Sequence, residues 1–385
     1  MKKFYIILCL IATTISSCIQ DEAPNAEADI VSCTLKEDVL KRPPIIENNK
    51  ISLMVNKETD LSSLTPIFEL TPGATINPPS NESNNFITPQ IYTVTSEDGK
   101  WKKEYTIYVT KDKETITSYT FNSFISKEER EYYYHIIQET DDYGAITMEW
   151  ASGNSGFVTA AKADNLDNND PTLFPTYSSE DGRDGRCAKM VTRKPKPGLV
   201  SIFAPIAAGN LFIGTFGEEV DITKPAVATH FGEGNIFPYY PLSIEGYYKY
   251  KAGPKWTITN KQEGTDYENT TDTWDIYGVL YDAAQMYIDT QKSYLDGYNV
   301  LTSPYIVMIA RLPRAERKEA SEWTPFYIPF KEFEGGTPLD IEKLKRGDYN
   351  LAIVMSSSEE GAIFNGAENS TLCVDDVELK FSEDF

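Results

Sequence analysis

The chain has 385 residues, and its 58 Asp and Glu against 36 Lys and Arg give a net charge of −22. That balance argues against nucleic acid or anionic phospholipid as partners, since both are held by cationic surface. With 24 Tyr, 18 Phe and 5 Trp the chain is β-prone, and its length fits about two domains.

Residues 1–17 read as a lipoprotein signal peptide. Lys2 and Lys3 supply the positive start and Phe4–Ile11 the apolar stretch. That stretch is far shorter than the roughly 20 residues needed to span a bilayer. Ile15-Ser-Ser-Cys18 reads as a lipobox, which makes Cys18 the expected lipidation site. Residues 18–28 form a polar tether, and within it Ile19-Gln-Asp-Glu22 resembles the export signal of Bacteroidetes surface lipoproteins. The resemblance implies a lipid-anchored protein of the outer membrane, displayed at the cell surface. Once Cys9 leaves with the signal and Cys18 takes lipid, Cys33, Cys187 and Cys373 remain. An odd set does not make a disulfide-stapled scaffold, and burial as small hydrophobes is the expected role.

Residues 29–113 read as a first domain of short strands. Ile51–Val55 and Pro66–Leu70 are strand candidates, with turns at Thr71-Pro-Gly73 and Asn77-Pro-Pro-Ser80. Ile91–Thr95 and Trp101–Thr110 flank Ser96-Glu-Asp-Gly-Lys100, a hairpin signal. The pattern predicts an immunoglobulin-like sandwich. It resembles the spacer domains that precede binding modules in Bacteroidetes surface lipoproteins.

Residues 118–385 predict about ten strands, from Tyr132–Ile137 through Asn210–Phe216, Gly246–Lys251 and Asp275–Tyr281 to Leu372–Phe381. Only Pro338–Arg346 reads as a helix, with proline early, a basic end and Gly347 behind it. The fold class is therefore all-β, a jelly-roll sandwich following the smaller one. In the last strand period-two alternation is broken once, at Asp375-Asp376, which predicts a bulge or a ligand position.

Four blocks carry a family resemblance: Trp150–Gly156, Ala207–Phe216, Gly246–Gly253, and Ser356–Ser358 with Ser370–Leu379. Together they resemble the "putative carbohydrate metabolism domain" of Bacteroidetes lipoproteins, a jelly roll similar to carbohydrate-binding modules. The resemblance implies a glycan context and, near the closing strand, a structural calcium. Asp375 and Asp376 are the expected ligands for that ion, with bonding to the backbone as the alternative.

No Cys/His zinc spacing, nucleophile elbow or phosphate loop is present. His135 and His230 stand in unrelated contexts and read as structural. Glycoside hydrolysis needs two facing carboxylates, but with so many acids, candidates such as Glu149, Glu245 and Asp282 carry little signal. Asp164–Asp170 fails the EF-hand pattern at Leu166 and reads as a solvated loop. Sugars pair apolar faces with hydroxyl rings, so their sites combine aromatic platforms with polar acceptors. On that ground Phe237, Tyr239, Tyr240, Trp256 and Trp274 are the expected carbohydrate-binding residues.

The expected function is capture of a polysaccharide or oligosaccharide, without cleavage, alongside partner proteins of a glycan-uptake system. A glycoside hydrolase or lyase on the same scaffold and a protein-binding adhesin are the alternatives.

Overall fold

The computed structural model describes residues 23–41, 43–111, 115–195, 201–202, 204–217, 224–259 and 261–382. The signal peptide and Cys18 lie outside the described residues. Strands account for 44% of the chain and helices for 11%, so sheet is the frame throughout. Among the described residues no helix is long and apolar enough to cross a membrane. The chain divides into two compact units between residues 112 and 113.

The N-terminal unit is a sandwich of a two-stranded and a five-stranded sheet. Alternation does the sorting: in Lys50–Val55, residues Ile51, Leu53 and Val55 are buried, while those between them are more exposed. This strand pairs parallel with Lys102–Lys111, which pairs antiparallel with Gln90–Thr95. The predicted hairpin forms where Gly99 takes φ +71°, a conformation that costs glycine little. Tyr92 of the larger sheet packs against Phe68 of the smaller, with ring centroids 4.9 Å apart.

The C-terminal unit is the jelly-roll sandwich. Its back sheet has six strands, ordered Thr176–Ser179, Cys187–Val191, Thr371–Ser382, Tyr240–Lys251 and Ala320–Pro329, with Ser118–Tyr119 pairing the central Thr371–Ser382. The front sheet has five: Asn210–Phe212, Tyr349–Ser356, Asp275–Asp282, Ile306–Arg311 and Lys331–Glu332. Between the sheets lies a core that includes Tyr248, Tyr250, Ile276, Leu280, Ile353 and Val374. Within Tyr240–Lys251 the tyrosines alternate as strand residues do: Tyr248 and Tyr250 are buried and Tyr247 is not.

Asp275–Asp282 is buried along its whole length, because both faces of the front sheet are covered. Ile276 and Leu280 face the main core. Tyr277, Val279 and Tyr281 face a second cluster containing Phe212, Phe231, Met286 and Val354. That covered outer side is where the cavity described below opens.

Three elements depart from expectation. Helix Asn154–Asp164 lacks an acid in its first turn and a side-chain cap, so no local signal announces its start. It runs into the stretch expected as loop and ends on Asn165 at φ +50°. Helix Ala283–Thr290 continues directly from a strand, and its cap Asp282 is the last residue of that strand. The expected Asn210–Phe216 strand breaks at Ile213: Gly214–Phe216 leaves the sheet to pair with Thr229–Phe231. A Cβ on Gly214 would stand 2.0 Å from the carbonyl oxygen of His230, so only glycine permits this turn. The expected helix is present as Ile341–Arg346, with Asp340 accepting from the Glu342 and Lys343 amides.

Candidate functional site

A cavity of about 760 Å³ opens on the outer side of the front sheet. Asp275, Tyr277, Val354 and Ser356 project into it from neighbouring strands, with Arg311 beside them. The strand register sets this floor, since Asp275 lies opposite Ser356 and Tyr277 opposite both Val354 and Arg311. The start of helix Asn154–Asp164, residues near Tyr298, and Glu359–Phe364 form the walls. Tyr298 is 46% exposed, and Phe216 and Phe364 are partly exposed, so aromatic surface is offered at the opening. Phe364 is held in the left-handed region at φ +59°. That conformation costs a bulky residue of order 1 kcal/mol, and it recurs where a side chain is aimed by its surroundings.

The charged floor is fully paired. Arg311 reaches Asp275 through two nitrogens, at 3.0 and 2.7 Å. Arg317, itself buried, bridges Asp275 at 3.3 Å and Glu359 at 2.8 Å. Arg314 makes a second ion pair to Glu359. On the wall, Glu360 accepts from Tyr267 at 2.6 Å, Asn365 at 2.7 Å and Thr265 at 2.9 Å. Three carboxylates thus face the cavity with their orientations fixed. Asp275 is too buried to meet a ligand and anchors the floor, while the partly exposed Glu359 and Glu360 suit accepting hydroxyl hydrogen bonds, because little entropy remains to be lost on binding.

Behind this wall, Asp272 accepts from Ser358 at 2.5 Å, Ser370 at 2.7 Å and the Ala367 amide at 2.8 Å. Burial lifts its carboxyl from 3.8 to about 6. A raised folded-state pKa gives stability that is full below the unfolded value and is lost as pH rises through about 6. Asp375, also lifted to about 6 by burial, acts in the same direction. The C-terminal unit is therefore expected to unfold at higher denaturant at pH 5 than at pH 7.5. Across that interval Asp272 alone contributes about 1 kcal/mol, and Asp272→Asn should flatten the dependence. Denaturant titrations at both pH values measure this.

Neither histidine forms a catalytic relay. His230 Nδ1 lies 3.0 Å from Glu233 and 3.3 Å from Thr215, so acid and hydroxyl share one nitrogen where a triad needs two. His135 accepts from the Ser178 amide, and burial together with Arg186 pushes it down to about 4. The carboxylates considered for hydrolysis are also committed elsewhere. Glu149 binds Gln138, Glu245 binds Ser243, and Asp282 binds Lys343.

The expected sugar platform is dispersed. Phe237 is fully buried and packs on Tyr239 and Phe381, while Tyr240 opens a back-sheet strand by pairing with Ser382. Trp274 is 1% exposed, packed on Tyr248 with its indole N–H donating to Lys318. Phe237 and Trp274 are therefore core residues, and no ring of a sugar can lie against them. Both belong to the core between the sheets, Trp274 directly ahead of the buried strand Asp275–Asp282. Trp256 is partly exposed, with Tyr267 at its edge and Arg314 over its ring, and so adjoins the cavity wall.

Asp375 and Asp376, the expected calcium ligands, both engage Arg183. Asp375 accepts its amide at 2.6 Å, and Asp376 pairs its guanidinium at 2.5 Å. Asp376 has φ +49°, and the register with Tyr240–Lys251 shifts at this point, so the doubled acid makes the bulge. Among the described residues no group of three or more His, Cys, Asp or Glu is placed to hold a metal ion.

Sequence reasoning did not find Asp275, Arg311, Arg317, Glu359 or Tyr298. A signal existed in the spacing Arg311-Leu-Pro-Arg314-Ala-Glu-Arg317, which delivers three guanidiniums from one strand end.

Residues 120–380 match the family model described as "putative carbohydrate metabolism domain", and residues 30–109 match that described as "SGBP, N-terminal". A crystal structure described as a putative glycoside hydrolase from Bacteroides thetaiotaomicron is 42% identical, covering 95% of this chain and all of that one, with a TM-score of 0.63. Another with the same description, from Bacteroides vulgatus, is 33% identical over 70% of this chain and all of that one, with a TM-score of 0.58. No curated protein matches.

Proposed function

Because this chain belongs to the putative carbohydrate metabolism domain family, we propose that its front-sheet cavity binds a glycan chain and does not cleave it. A glycan-associated role follows from the family and from the N-terminal match. Binding in this cavity is the finer reading. The observation that carries it is an aromatic opening over a floor whose carboxylates are all held by arginine, tyrosine or amide donors. The fixed acceptors orient hydroxyls, and the rings supply apolar contact.

Hydrolysis is the second reading, favoured by the description of the two similar structures. It requires a carboxyl free to give a proton and another to attack or activate water. Asp275 and Glu359 each face two guanidiniums instead. A glycan screen on the purified protein, followed by a reducing-end assay on each bound glycan, separates the two readings. Retention without new reducing ends is the expected result. Release of reducing sugar that a single Asp or Glu substitution abolishes would make the protein an enzyme.

The proposal also places the protein at the cell surface, tethered through lipid on Cys18, as part of a glycan-capture system. Acyl chains would supply the membrane affinity that so acidic a chain lacks. Cys18→Ala should move the protein from the membrane to the soluble fraction, and unchanged partitioning would remove the anchor from the account.

A further inference from the structure

The cavity on the front sheet is lined by two kinds of surface. On one side stand Asp275, Arg311, Glu359 and Glu360, each held by ion pairs or hydrogen bonds. On the other stand Phe216, Phe231, Val300, Leu301, Ile363 and Phe364. Phe216, Phe231, Val300 and Leu301 belong to one packed cluster with Val354 and Tyr277, and the cavity opens against it. Tyr277 is the seam between the two surfaces. It packs in that cluster, while the Arg311 guanidinium stands 5.9 Å from its ring.

A sugar suits the first surface and not the second. Its hydroxyls need donors and acceptors, and Val300, Leu301 and Ile363 carry none in their side chains. As branched aliphatic chains they also lack the flat ring face on which a sugar stacks. Thr229, two residues before Phe231 on the same strand, already donates its hydroxyl to the Ala226 carbonyl at 2.7 Å. Hydroxyls pressed against this end would give up water without replacement. An apolar group there gains by leaving water. Phe231 and Val300 are buried, but Phe216, Leu301, Ile363 and Phe364 are partly exposed and so remain to be covered.

Given that this cavity is the glycan site, we propose that its ligand is a glycan bearing an apolar substituent, an aromatic or fatty group linked through oxygen. The sugar lies along Glu359 and Glu360, and the substituent fills the end formed by Phe216, Leu301 and Ile363. A volume of about 760 Å³ holds both parts, since sites of roughly 300–1,000 Å³ enclose ligands of drug size.

The test is a calorimetric titration of the full chain with matched methyl, phenyl and hexyl glycosides of the common hexoses and pentoses. Phenol and hexanol serve as controls without sugar. For at least one sugar, a substituted glycoside should bind roughly tenfold or more tightly than the methyl glycoside. Preference for phenyl would assign an aromatic group, and preference for hexyl a fatty one. Leu301→Gln and Ile363→Gln each put an amide into the apolar end. Both should remove the advantage of the substituent and leave methyl glycoside binding unchanged, with melting curves confirming that each variant folds. Two variants are used because Leu301 also packs on the cluster beneath it. Equal affinity for methyl and substituted glycosides would overturn the apolar substituent and leave the glycan site standing. An advantage retained in both variants would do the same. Binding of substituted glycosides no tighter than that of phenol or hexanol, or no binding by any glycoside, would overturn both.

Discussion

Replacing Arg317 by alanine is expected to cost about 3–5 kcal/mol of the C-terminal unit's stability, the usual loss when one partner of a buried ion pair is removed. Arg317 is 7% exposed and joins Asp275, which is 1% exposed, to Glu359. It also donates to the Leu312 carbonyl at 3.0 and 2.8 Å and to the Trp274 carbonyl at 3.2 Å. Burial lowers its pKa even against the Asp275 charge, which shows how much solvation the group gives up on folding. Removing it leaves acceptors from two carboxylates and two backbone segments to be satisfied by water that cannot easily reach them. Lysine should rescue little, because one ammonium cannot span the positions a guanidinium fork serves. The check is a denaturant titration of both variants. A loss below about 1 kcal/mol for Arg317→Ala would show that the floor of the cavity is not held as described.

The second large effect is expected at Trp274. Truncating a buried tryptophan to alanine costs about 3–5 kcal/mol through lost transfer energy and the cavity left behind. Trp274 contacts Tyr248 at 4.6 Å between centroids, and its indole N–H is satisfied by Lys318. Trp274→Ala should therefore lower the melting temperature sharply, whatever it does to glycan retention. Trp256→Ala should cost much less, because that ring is only partly buried under Arg314. A Trp274→Ala protein that melts like wild type but no longer binds glycan would restore the platform expected from sequence.

These contrasts show what the sequence carries and what it does not. Local periodicity is legible: Leu372–Phe381 alternates as a strand, and the doubled Asp375-Asp376 becomes a bulge at φ +49° for Asp376. The Ser96–Lys100 turn and the stop at Gly347, which takes φ +79°, are equally local, and both are present. Helix Asn154–Asp164 is not legible, because its stability comes from Phe157, Val158 and Ala161 packing on Tyr134 and Phe174, not from its own ends. The cavity is less legible still. Its floor and walls bring together residues from Glu129 to Phe364 through sheet register, and no window of sequence contains that arrangement. Aromatic content was a poor guide for the same reason. Phe237 and Tyr298 both sit beside turn residues, yet one is fully buried and the other 46% exposed. Phe237 enters the core between the sheets, whereas Tyr298 stands at the cavity on the outer side of the front sheet.

The most direct test of glycan capture by the cavity is calorimetric titration of a retained glycan into wild type, Ala362→Trp and Tyr298→Ala. Ala362 is exposed on the cavity wall, so an indole there fills the opening without disturbing the core. Tyr298→Ala removes an exposed ring and should weaken binding by roughly tenfold, about 1.4 kcal/mol. Ala362→Trp should weaken it at least as much, with both variants melting as wild type does. Undiminished affinity in both would place the glycan elsewhere on the protein and contradict the account.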